Sequence, residues 1–179
     1  MKRYLLLMLI TAISGVLSGL IATTSLIGLM LGPGLIFGVI LGIYFLKLWK
    51  TSLVKTAIWT LCSTIAYCVA GQVVANAIVK NVTLAFSNPA AHETMIHLPI
   101  AGAIGTTILI IGTVYLIQKI NIRQALIVIF LGALMGFAFD GKIFNPNIIS
   151  SSILSFVLWQ MVVGITLGMF IEKNIKKTS

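Results

Sequence analysis

The segment His92-Glu93-Thr94-Met95-Ile96-His97 comes closest to a reactive motif in this chain. A helical zinc-protease site needs two histidines four residues apart, so that both imidazoles leave one helix face with a glutamate between them. Here the histidines are five apart, which turns the two rings to different faces. His92, His97 and Asp140 would share a metal only by tertiary convergence. The simpler expectation is a hydrated outer rim in which Glu93 complements a helix N-terminus. No metal or other cofactor is expected. Cys62 and Cys68 lie six apart within one apolar run and form no CxxC or Cys/His spacing. They read as small buried apolar residues. The chain carries no nucleotide-binding loop, no Ser/His/Asp grouping and no intramembrane aspartate pair. It is expected not to be an enzyme, and a membrane enzyme built on His92 or His97 is the weakest reading of the sequence.

A second set of polar residues sits inside apolar runs. Gln72 and Asn76 are four apart and share one face of the third run, while Gln160 lies beside Trp159 near the middle of the sixth. Ser150, Ser151, Ser152 and Ser155 precede that pair, and Thr106 and Thr107 lie in the fourth run. Polar side chains at such depth face a bundle interior, because lipid offers them no partner. Two roles stay open for Trp159 and Gln160: interhelical hydrogen bonding, worth about 0.6 kcal/mol on average, or an outward-opening polar pocket with an aromatic wall. For the serines hydrogen bonding is favoured. The expected ligand-binding set is therefore Gln72, Asn76, Trp159 and Gln160, with His92, His97 and Asp140 at the outer rim. No charged residue lies deep in any run, which excludes ion pumps, voltage sensors and carboxylate relays.

The elements that position these residues follow from composition. Of 179 residues, 59% are hydrophobic and 8% charged, and mean hydropathy is +1.14. Soluble domains carry about 25% charged residues, so the solvent of this chain is largely lipid. The apolar runs predict six spans: Tyr4–Thr23, Leu26–Leu46, Thr56–Val79, Met95–Gln118, Gln124–Phe139 and Ile148–Ile171. Six spans of about 20 residues nearly exhaust the chain, so a single transmembrane domain over residues 1–179 is expected. Gly32-Pro33-Gly34 predicts that the second helix starts near Pro33, with a loop or broken turn before it. The start of the chain resembles a signal peptide, but a small-x-small cleavage site is poor because Leu20 stands two places before Ala22. A retained first helix is expected.

Charge orients the spans. With the N-terminus inside, Lys2, Arg3, Lys47, Lys50, Lys55, Lys119, Arg123, Lys173, Lys176 and Lys177 fall on the cytoplasmic side, and only Lys80 and Lys142 fall outside. Ten against two, in loops short enough for the positive-inside rule, predicts both termini in the cytoplasm of a cell (inner) membrane. Trp49 and Trp59 flank one cytoplasmic loop and read as interfacial anchors. The net charge of +9 forms no continuous stripe, so lipid headgroups and not nucleic acid are its expected partners.

Eleven of the sixteen glycines recur at a spacing of four: Gly15/Gly19, Gly28/Gly32, Gly34/Gly38/Gly42, Gly132/Gly136 and Gly164/Gly168. Such faces let helix backbones approach in lipid, inside the bundle or at a subunit interface, and internal packing is the expectation. The segment Leu35 to Phe45 also echoes Ile129 to Phe139, and a three-plus-three division would make the halves inverted repeats. In length and helix count the chain resembles the substrate-binding subunits of energy-coupling-factor transporters. The resemblance covers architecture alone, matches no motif and transfers no residue role; it implies that energy comes from a separate ATPase complex. The expected function is a small-solute transport component that binds its ligand from the outer side. The alternative is a non-catalytic protein that assembles with or stabilises a larger membrane complex, using its glycine faces.

Overall fold

In a hydrocarbon solvent every backbone N–H and C=O must be satisfied within the chain, and an uninterrupted helix does this segment by segment. The computed structural model describes residues 2–22, 24–87, 97–137 and 148–178, and it is all-helical over them. The helices are α1 (Lys2–Ala22), α2 (Leu26–Trp49), α3 (Leu53–Ser87), α4 (His97–Leu116), α5 (Ile122–Gly136) and α6 (Ile148–Thr178). Five are long and apolar enough to cross a membrane, and α5 is a shorter apolar helix. The chain has the composition and architecture of a multi-pass helical membrane bundle.

Each helix packs on the next in sequence, and α6 closes the ring on α1, where the contact is most extensive. The glycine pairs make these approaches. A methyl group at Gly38 would lie 2.8 Å from the Thr60 Cα of α3, and one at Gly34 would lie 2.7 Å from the Thr64 Cα. Gly15 and Gly19 of α1 receive the backbone of Val157 and Ile153 of α6, while Gly164 and Gly168 of α6 receive Thr11 and Leu7 of α1. Gly28 and Gly32 face Ile21, and Gly132 and Gly136 face Thr106 and Leu98 of α4. The repeated glycines thus serve packing within one chain. Those that line up in the internal echo face different neighbours: Gly38 and Gly42 of α2 pack against α3, but Gly132 and Gly136 of α5 pack against α4.

Two local expectations are corrected. The second helix does not begin at Pro33: α2 runs unbroken from Leu26, capped by Ser25, whose hydroxyl accepts the Gly28 N–H at 2.9 Å. That cap makes a start ahead of the proline favourable, and the ring removes only one backbone donor inside the helix. Trp59 is no interfacial anchor. It is fully buried, and its Nε1 donates to Thr113 Oγ1 of α4 at 3.0 Å. Because α3 begins at Leu53, Trp59 stands about 9 Å along the helix at 1.5 Å per residue. The side chain of Trp49 lies outside the described residues.

The centre of the ring is filled by aromatic rings. Phe37 and Phe45 from α2, Trp59 and Tyr67 from α3, and Phe156 and Trp159 from α6 form a connected series. The Tyr67 and Trp159 rings meet edge to face at 5.1 Å, spanning the middle of the bundle between α3 and α6. At the end that carries the α4–α5 turn, Asn121 and Gln124 form a reciprocal capping box. Asn174 of α6 donates to the Lys119 carbonyl at 2.9 Å and to Gln124 Oε1 at 3.0 Å, tying that turn to α6.

Candidate functional site

Most hydroxyls inside the helices are satisfied locally. Thr11, Thr106, Thr107, Thr113 and Thr166 donate to the carbonyl four residues earlier at 2.7–2.8 Å, a bond any embedded threonine can make. Serines with less local pairing reach across to α2. Ser63 of α3 donates to the Gly34 carbonyl at 2.8 Å, and Ser18 of α1 points its hydroxyl at the Pro33 carbonyl at 3.5 Å.

Against that background three buried polar atoms stand out. Among the described residues, Ser14 Oγ, Tyr67 OH and Gln160 Oε1 are buried side-chain polar atoms without a hydrogen-bond partner. Two of them, on Tyr67 and Gln160, lie close together, and the third is on the α1 face that packs on α6. Gln160 is fully buried, and its Nε2 donates to Ser18 Oγ at 2.8 Å. The Tyr67 hydroxyl comes near the Gln160 amide without meeting it in hydrogen-bond geometry. Thr11 lies against Gly164 and Ser18 against Gln160, so Ser14, between them on α1, sits at the level of the Gln160 turn. Trp159 is 5% exposed and walls this neighbourhood together with Phe37, whose ring lies 6.0 Å away.

Each orphaned buried group carries a desolvation cost of roughly 1–3 kcal/mol. The chemistry available here is uncharged. Gln160 Oε1 only accepts, whereas the Ser14 and Tyr67 hydroxyls donate or accept. The group has no carboxylate, imidazole or amine, so it offers hydrogen bonding and no acid–base pair.

The structure separates the four expected ligand-binding residues into two places. Trp159 and Gln160 join the central cluster. Gln72 and Asn76 are exposed on α3, and Gln72 Nε2 donates to Asn76 Oδ1 at 3.3 Å. Of the expected rim, His97 opens α4 and is half-buried, while His92 and Asp140 lie outside the described residues. Among the described residues no three His, Cys, Asp or Glu side chains gather as a metal site. Ser14, Ser18 and Tyr67 were not singled out from sequence. The signal for the two serines was present as Thr11, Ser14, Gly15, Ser18 and Gly19, small and polar residues along one face of an otherwise apolar helix. Tyr67 carried no comparable signal, since an aromatic residue in an apolar run reads as core.

Searches against protein-family models, curated proteins and solved structures match none of them to this chain.

Proposed function

We propose that this protein is a membrane-embedded solute-binding subunit of a transport system, energised by partner proteins such as a separate ATPase complex. The observation that carries the reading is that Ser14 Oγ on α1, Tyr67 OH on α3 and Gln160 Oε1 on α6 are buried without a hydrogen-bond partner, the last two beside the aromatic wall of Trp159 and Phe37. A ligand that bonds to these atoms relieves their desolvation cost. It is a small uncharged molecule carrying at least one donor for Gln160 Oε1 and one acceptor for a hydroxyl, because a charged ligand would find no counter-ion there. This site moves inward from the one expected from sequence: it retains Trp159 and Gln160, and Gln72 and Asn76 stand apart from it.

In this reading six helices span a cell (inner) membrane with both termini in the cytoplasm, as the distribution of ten basic residues against two supports. At 15 residues, α5 is about 22 Å long, short of a bilayer core of about 30 Å; local thinning of the bilayer accommodates it. The alternative, a non-catalytic assembly protein, relied on glycine faces as the outer working surface. Those faces are occupied inside the bundle, which favours the solute reading.

The test is to purify the protein in mild detergent, from its own membrane, and identify by mass spectrometry the small molecules and proteins that travel with it. A retained uncharged solute that is lost from Gln160→Leu supports the reading. A single stoichiometric membrane partner with no solute replaces it with assembly, and neither solute nor partner leaves ordered water as the guest of the cluster and overturns it.

A further inference from the structure

A helix in a membrane meets neighbouring helices and lipid, and lipid offers a polar side chain no partner. Exposed polar residues of the apolar helices therefore belong near their ends, where water begins. Among the described residues Tyr4, Lys47, Lys55, Tyr115, Arg123 and Lys173 obey this, each within a turn of the end of its apolar segment. Gln72 and Asn76 do not. Both are exposed on α3, and the apolar run continues through Ala77, Ile78 and Val79 before Lys80. Gln72 thus lies about 10 Å inside the end of the run at 1.5 Å per residue.

Their direction is equally particular. At about 100° per residue, Gln72 and Asn76 extend the row Val54, Ile58, Leu61, Ile65 and Val69, all exposed. The remaining sides of α3 are taken. Thr56, Thr60 and Thr64 receive the glycines of α2, while Trp59, Cys62, Ala66 and Ala70 lie against Gly112 and Gly105 of α4. The row faces away from the bundle. It advances by steps of four and three, so that Ile58, Ile65 and Gln72 are seven apart. An apolar row alone is what any helix at the rim of a bundle turns to lipid. The two amides set this one apart.

Gln72 Nε2 donates to Asn76 Oδ1 at 3.3 Å, and neither side chain has another bond among the described residues. The Gln72 oxygen is left as a spare acceptor and the Asn76 nitrogen as a spare donor. A second copy of the chain carries the same two groups. Brought together about a two-fold axis along the membrane normal, each pair meets its complement. A foreign helix would have to supply matching polar groups at the same depth, whereas a second copy brings them by symmetry. Two copies share one orientation in the bilayer, so their α3 helices run parallel. β-branched residues seven apart, as Ile58 and Ile65 are, suit a two-stranded parallel pair, and one polar residue in that series fixes its register. Gln72 is that residue. We propose that the lipid-facing row of α3, from Val54 to Asn76, is the interface of a parallel homodimer in which the Gln72–Asn76 pairs of the two copies bond to each other. The dimer goes beyond the solute-binding reading and does not depend on it.

Cross-linking in native membranes tests the interface. In protein without its native thiols (Cys62→Ser, Cys68→Ser), Leu61→Cys places a thiol in the row, and Phe130→Cys places one on the exposed face of α5. Mild oxidation should couple the Leu61→Cys protein into a species of twice the mass and leave the Phe130→Cys protein monomeric. Adding Gln72→Leu with Asn76→Leu should weaken association roughly tenfold. Gln72→Asn, which keeps an amide, should leave most of the dimer in place. Equal coupling at the two positions, coupling at neither, or coupling of the Leu61→Cys protein to a different protein overturns the proposal. So does coupling that survives the loss of both amides, the result expected if water at the bilayer surface pairs them. Should the thiol-free protein fail to fold, the chain with its own cysteines decides. Labelled at the N-terminus and diluted with lipid in vesicles, it should lose intermolecular energy transfer at a lipid-to-protein ratio about tenfold higher than the Gln72→Leu, Asn76→Leu protein. Equal ratios for the two proteins, or no transfer in either, overturn the dimer. Neither assay uses a solute, so the solute-binding reading stands or falls separately.

Discussion

Gln160 on α6 donates to the hydroxyl of Ser18 on α1 at 2.8 Å, across 142 residues of sequence. The bond uses only half of the amide. The nitrogen has one partner and the oxygen is buried without any, so one side chain both ties the first helix to the last and leaves an acceptor unpaired inside the bundle. If the proposed solute binds there, stability and binding pull on that amide in opposite directions.

Gln160→Leu separates the two. It removes an interhelical hydrogen bond worth about 0.6 kcal/mol on average, and it also removes an orphaned acceptor costing roughly 1–3 kcal/mol. The second effect is the larger, so the variant should unfold in detergent at a temperature equal to or above that of the parent, while retaining less solute. A fall of many degrees in the melting temperature would show that the amide oxygen is satisfied in the native protein.

The glycines give a paired test of packing. Gly38→Ala places a methyl group 2.8 Å from the Thr60 Cα and 2.9 Å from its Cγ2; an overpacked interior of this kind costs about 1–3 kcal/mol. Gly71→Ala meets nothing within 4 Å and should stabilise α3 by about 0.5–1 kcal/mol, the helix cost of glycine relative to alanine. Melting curves of the two variants should therefore move in opposite directions, and a shared direction would contradict the α2–α3 packing.

Trp59 tests the aromatic column. Trp59→Phe keeps an aromatic ring against Phe45, 4.9 Å away, and loses the bond to Thr113, whose own hydroxyl remains satisfied by the Leu109 carbonyl. The expected cost is about 1 kcal/mol. Trp59→Ala opens a cavity and should cost about 3–5 kcal/mol. Reversible unfolding in mixed micelles, followed by circular dichroism, measures both; similar costs would mean that ring packing contributes little.

Orientation is open to reporter fusions. A periplasm-active reporter joined after Lys80 or Lys142 should give signal, and one joined after Lys50, Lys119 or Lys177 should give none. Activity from the Lys50 or Lys119 fusion would reverse the assignment of both termini to the cytoplasm.

Sequence alone determined the solvent and the number of helices. A chain with 8% charged residues and apolar runs of about 20 residues spans lipid as helices, and breaks in hydropathy marked six helices, with ends displaced by several residues at α3 and α6. The glycine spacing of four also announced close helix contacts, because a small residue every fourth position forms a continuous groove on one helix face. It did not say which helix fills each groove. That choice depends on contacts between residues far apart in the chain, such as Gly164 with Thr11 and Gly38 with Thr60. The same limit governed the polar residues. Gln72 and Gln160 are alike as sequence, amides within apolar runs, yet one is exposed on α3 and the other is sealed between α1 and the aromatic centre. Periodicity assigns a residue to a face of its own helix, but burial depends on what packs against that face, which only the closure of α6 on α1 decided.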